Sequence, residues 1–88
     1  DVWSFGVVFW EMLSIGRTPY VGCNANDTIK EIKAGYRLPP PIEIGKLQWL
    51  VKCYNEVTKM CWHPKPKERS SFSNLVETFE TYLTSEEK

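Results

Sequence analysis

Few residues in this chain have side chains suited to chemistry, and they are scattered. His63 is the single histidine and stands two residues after Cys61. A Cys-x-His pair offers two metal ligands, but no second pair follows at the spacing a closed tetrahedral zinc site needs. No serine or cysteine accompanies His63 in a nucleophile context, so a hydrolytic triad is an equally poor reading. The three cysteines, Cys23, Cys53 and Cys61, are odd in number and widely spaced. That argues against a disulfide framework and suits a reducing compartment. Tyr20, Tyr36, Tyr54 and Tyr82 are candidates for phosphorylation, although packing is the commoner use of tyrosine in helices. Asp1 and Arg69 remain. Asp1 precedes an apolar run, where a carboxylate caps a helix and favours its positive end. Arg69 closes the basic run Lys65, Lys67, Arg69 and reads there as a solvent-facing charge.

The elements that would position these residues are helices. Residues 2–14 read as one, with apolar side chains on every face. Such a helix must be buried on all sides, which three further short helices cannot accomplish, so a partner segment or domain is expected. Gly16 closes it, and 17–22 reads as a loop. Asn24 or Asn26 caps a second helix with Asp27 in its first turn, a stripe of Ile29, Ile32 and Tyr36, and Gly35 at its end. Leu38-Pro39-Pro40-Pro41 must be extended, because each proline fixes its own φ and disfavours helix in its predecessor. It reads as a rigid connector, with an SH3 ligand as a weaker alternative.

A third helix over 47–61 carries the seam Leu47, Leu50, Val51, Tyr54, Val57 and Cys61, and Pro64 and Pro66 stop it. A fourth begins at Ser70 or Ser71 and presents Phe72, Leu75, Val76, Phe79, Tyr82 and Leu83 on one face. The polar tail 85–88 is expected to fray. The fold class expected is therefore all-α, about four helices.

At 88 residues the chain is one domain or part of one. A chain of that size buries only about 60–65% of its unfolded surface, so an independent core is marginal. Hydrophobic residues at 42%, aromatics at 14% and four tryptophans point to a packed interior and against disorder. Eleven basic residues balance 11 acidic ones, which removes the electrostatic case for nucleic acid or an anionic membrane. No signal peptide is visible. Val7-Val8-Phe9-Trp10 is the most apolar run, far short of the roughly 20 residues of a membrane span.

Two segments far apart carry a resemblance. Asp1-Val2-Trp3-Ser4-Phe5-Gly6-Val7-Val8-Phe9-Trp10-Glu11 resembles the Asp-x-Trp-Ser-Phe/Tyr-Gly-Val-x-x-Trp-Glu segment of protein kinase catalytic domains. Cys61-Trp62, then Pro66, Arg69 and Phe72, is similar to their Cys-Trp-x3-Pro-x2-Arg-Pro-x-Phe. Gly16-Arg17-Thr18-Pro19-Tyr20-Val21-Gly22 and Gly35-Tyr36-Arg37-Leu38-Pro39 resemble the Gly-x-x-Pro-Tyr-x-Gly loop and Gly-Tyr-Arg-Leu-Pro segment of protein tyrosine kinases. Two departures stand out. Ser70 replaces the usual proline. The run from Pro41 to Cys61 is about half a dozen residues longer than usual, so 42–51 reads as a lineage-specific insertion or as retained non-coding sequence.

The resemblance implies a C-terminal fragment of a tyrosine kinase large lobe over 1–88. Its parent would transfer the ATP γ-phosphate to protein tyrosine with Mg2+. In that family the aspartate matching Asp1 holds the backbone of the catalytic loop, with Trp3 and Gly6 packed around it. The arginine matching Arg69 pairs with a glutamate at the end of the activation segment. Asp1, Trp3, Gly6, Trp62 and Arg69 are thus the expected structural supports. The glycine-rich loop, strand lysine, His-Arg-Asp loop and Asp-Phe-Gly are not found in this sequence, so catalytic, nucleotide-binding and metal-binding residues here are expected to be none. The fragment alone is expected to be inactive. A cytosolic kinase and the intracellular domain of a membrane receptor both fit. Alternatives are a pseudokinase scaffold, a serine/threonine kinase of the tyrosine-kinase-like group, and a standalone helical interaction module.

Overall fold

Asp1 begins the first helix as its short carboxylate dictates: Oδ1 accepts the Ser4 N–H at 2.8 Å. The computed structural model describes residues 1–86. Among them lie four α-helices, α1 (Val2–Leu13), α2 (Ala25–Lys33), α3 (Gln48–Cys61) and α4 (Phe72–Glu86), with 3₁₀ turns at Ile42–Ile44 and Pro66–Glu68. The all-α class expected from the periodicities is observed. Of the tail 85–88 that was expected to fray, Ser85 and Glu86 continue α4, and Glu87 and Lys88 lie outside the described residues.

The helix boundaries follow local chemistry. α1 stops at Leu13 because Ile15 and Gly16 turn left-handed, at φ 57° and 83°. The Gly16 N–H then returns to the Glu11 carbonyl at 2.9 Å. A β-branched residue at positive φ is strained, and Ile15 is also 85% exposed. Of the two candidate caps for α2, Asn24 is the one used: its side chain accepts the Asp27 N–H at 2.8 Å. Ser71, not Ser70, caps α4, accepting the Asn74 N–H.

α3 is the central element, packed against α1, α4 and the Ile42–Ile44 turn. Its buried line is Cys53, Tyr54, Val57 and Cys61. Facing it are Phe9 and Trp10 of α1, Leu38, Ile44, Trp62 and Leu75 of α4. Complete burial of a side chain such as Val57 stabilises by about 1.5–3 kcal/mol before entropic losses. Two corrections apply to the expected faces. On α4 only Leu75, Phe79 and Tyr82 turn inward, whereas Phe72, Val76 and Leu83 are exposed. Positions 75, 79 and 82 share one helical stripe, and 76 and 83 lie a step of about 100° round from it. On α2 no residue is buried and Ile29 stays exposed.

The expectation that α1 is apolar all round has a structural counterpart. Phe9 and Trp10 enter the core, while Val8 and Met12 face outward, 48% and 64% exposed. Pro41 is extended, at φ −62° and ψ 146°. Pro41 is buried and Pro40 half-buried. The Trp10 indole N–H donates to the Pro39 carbonyl at 3.1 Å, and the Tyr54 hydroxyl to the Leu38 carbonyl at 2.7 Å. These bonds tie the backbone of the segment to the core, while Pro39 stays exposed.

Candidate functional site

Trp62 reaches the start of α1 through a gap that only glycine leaves. A Cβ on Gly6 would lie 2.6 Å from the Trp62 indole nitrogen and 3.0 Å from the Cys61 Cβ. Because the gap is open, the indole N–H donates to the Trp3 carbonyl at 3.1 Å. The two tryptophan rings lie 6.0 Å apart, tilted. Arg69 arrives at the same ring from the second 3₁₀ turn. Its Nε donates to the His63 carbonyl at 2.8 Å, and its guanidinium carbon lies 4.7 Å from the Trp3 ring centroid. Asp1, Val2, Trp3, Pro66, Arg69 and Ser70 line a shallow pocket of about 300 Å³ there.

The five residues singled out by sequence therefore meet at one end of α1. Asp1 is exposed. Among the described residues its carboxylate bonds only the Ser4 amide, through one oxygen. A carboxylate has room for several donors, so the second oxygen can hold a backbone N–H of another segment. Arg69 is half-buried rather than wholly solvent-facing. Only its Nε is bonded among the described residues, which leaves the fork of the guanidinium able to take a carboxylate in two parallel bonds.

Sequence reasoning gave Arg37 no role. It is half-buried, donates to the carbonyls of Trp62, Ile32 and Tyr36, and lies 5.1 Å from the Trp3 ring. The available signal was its position just past a helix end, where carbonyls lack intrahelical partners.

Elsewhere, Cys53, Cys61 and His63 are tied to structure. Burial pushes the Cys61 thiol up to about 11, and burial followed by Glu56 raises Cys53. Thiols shifted this way stay protonated and unreactive near neutral pH. His63 Nδ1 accepts the Lys65 N–H at 3.1 Å, so it is engaged locally. A larger groove of about 650 Å³ opens between the 17–23 loop, α2 and the prolines, walled by Trp10, Tyr20, Tyr36 and Pro40. None of the five sequence-predicted residues lines it.

The model of one family, described as protein tyrosine and serine/threonine kinase, matches residues 1–79. The chain belongs to that kinase family. Among curated relatives, tyrosine-protein kinase receptor torso of Bombyx mori is 33% identical over 97% of this chain and 10% of its own length. Fibroblast growth factor receptor 1 of Xenopus laevis is 37% identical over 94% of this chain and 10% of its own. Ephrin type-A receptor 8 of Rattus norvegicus is 37% identical over 99% of this chain and 22% of its own. The kinase chain described here thus spans roughly a tenth to a fifth of the length of these relatives. The four-helix arrangement is that of the C-terminal part of a kinase large lobe.

Proposed function

We propose that these residues are the structural end of a protein tyrosine kinase domain, and that the parent protein transfers the γ-phosphate of ATP to tyrosine hydroxyls of protein substrates. One observation carries this reading. Asp1, Trp3, Gly6, Trp62 and Arg69, drawn from both ends of the sequence, converge on one helix start that leaves a carboxylate oxygen and a guanidinium fork open. Phosphoryl transfer is catalysed almost wholly by positioning and electrostatics, so a helix end that holds a loop in place contributes without touching the reactants. Asp1 accepts backbone N–H groups of the catalytic loop through its second oxygen. Arg69 pairs with a glutamate that closes the activation segment. Removing one partner of such a buried pair costs about 3–5 kcal/mol.

Among the described residues no group of three or more His, Cys, Asp or Glu is placed to hold a cation, and no step is assigned to ATP or Mg2+ here. Both belong to segments of the parent outside this chain, and the 88 residues alone are inactive. No described helix is long and apolar enough to cross a membrane. We place the domain on the cytosolic side, where ATP and reduced thiols occur together. We also read 42–51 as a true part of the fold, since Ile44 is 4% exposed and packs in the core.

The test is a phosphotransfer assay on the full-length parent with γ-labelled ATP, Mg2+ and peptides bearing tyrosine or serine. Labelled phosphotyrosine supports the reading. Phosphoserine moves the parent to the tyrosine-kinase-like serine/threonine group. No transfer from a folded parent makes it a pseudokinase scaffold.

A further inference from the structure

We infer that Arg37 is a positioning residue for Asp1, acting through the Trp3 indole. Only the catalytic consequence of this rests on the role proposed above for Asp1. A guanidinium presents five N–H donors in a rigid plane. Arg37 spends three of them on backbone carbonyls at and just beyond two helix ends. Nη1 donates to Ile32 in the last turn of α2 at 3.0 Å and to Tyr36 at 2.8 Å. Nε donates to Trp62, the C-cap of α3, at 3.0 Å. Its positive charge also suits the negative ends of both helices. The face of the same group lies over the Trp3 ring, 5.1 Å from its centroid.

These contacts close on themselves. Arg37 holds the Trp62 carbonyl, the Trp62 indole N–H holds the Trp3 carbonyl, and the Trp3 ring lies against Arg37. Trp3 is therefore fixed both through its backbone and through its side chain. It sits two residues from Asp1, whose carboxylate and carbonyl accept the amides of Ser4 and Phe5 at 2.8 and 3.0 Å. Arg69 touches the same ring but holds only the His63 carbonyl, whereas Arg37 adds the end of α2 to the junction that Trp62 makes between the end of α3 and the first turn of α1. Lysine keeps the charge but not the planar fork, and cannot reach the carbonyls of two helices while covering the ring.

Amide hydrogen exchange in the full-length parent reads this directly, whether or not the parent transfers phosphate. Arg37→Met is expected to speed exchange at Ser4 and Phe5 roughly tenfold, and Arg37→Lys to give a smaller rise. Faster exchange confined to the ends of α2 and α3, with Ser4 and Phe5 unchanged, overturns the inference and leaves Arg37 a simple cap. Should Arg37→Met fail to fold, Arg37→Lys alone decides on the same two amides. Kinetics adds a second reading. If Arg37 acts through Asp1, Arg37→Met lowers kcat with KM for ATP unchanged, and adds nothing in an Asp1→Asn background. Losses that multiply in the double variant contradict it. If Asp1→Asn by itself leaves kcat intact, the role proposed for Asp1 falls, while the exchange result still decides Arg37.

Discussion

At the scale of single residues, Gly6 and Trp62 form the tightest junction. Gly6→Ala sets a methyl against a rigid ring and the Cys61 Cβ, neither of which can swing aside as a flexible side chain would. Overpacking of that kind costs about 1–3 kcal/mol, read as a lower melting temperature of the parent. The Trp3–Trp62 hydrogen bond should be lost with it, which indole N–H exchange would report. Much at this scale was legible. Asp1 announces itself as a cap by type and place, and Gly6, Trp62 and Arg69 by a motif. Arg37 was not, because its partners are carbonyls, which sequence does not mark, and one lies 25 residues away.

At the scale of elements, α3 begins at Gln48, inside the stretch that sequence comparison left as an anomaly. Its N-terminal residue Leu47 offers no side-chain cap, so the Ile42–Ile44 turn and the burial of Ile44 anchor that end. Ile44→Ala should destabilise the parent by about 2–5 kcal/mol, as measured by denaturant unfolding. An unchanged midpoint would mean that 42–51 hangs outside the fold. A second contact joins α3 and α4: the Tyr82 hydroxyl donates to Glu56, and that bond, followed by desolvation and the Glu56 charge, pushes the phenol up to about 12. A folded-state pKa raised above the unfolded value gives stability that is complete below about pH 10 and lost as pH rises through about 12. Tyr82→Phe should lower stability modestly below about pH 10, where the bond is intact, and flatten the loss between about pH 10 and 12, which unfolding curves against pH would show. Helix positions were readable from caps, prolines and period. Which apolar residues of α4 stay outside was not, since Val76 and Leu83 differ from Leu75 and Phe79 only in angle round the axis.

At the scale of the whole molecule, apolar surface is left uncovered. Val8, Met12 and Ile15 on and beside α1, and Phe72, Val76 and Leu83 on α4, are all about half exposed or more. Exposed apolar residues on neighbouring helices mark a surface that another element covers, and we assign that cover to the rest of the kinase domain. The four-helix class was readable from helical period, caps and prolines, and the apolar run with no polar face raised the expectation of a partner. The chemistry was not, because in the proposed reading the residues that resemble the family support catalysis without performing it. The central claim is that the Asp1 carboxylate holds the catalytic loop. The measurement that tests it most directly is kcat beside ATP affinity for Asp1→Ala in the full-length kinase. The account predicts that kcat falls by about 10²-fold or more, as a misplaced catalytic group would cause, while ATP binds as before. Equal kcat in the variant and the wild type would contradict it.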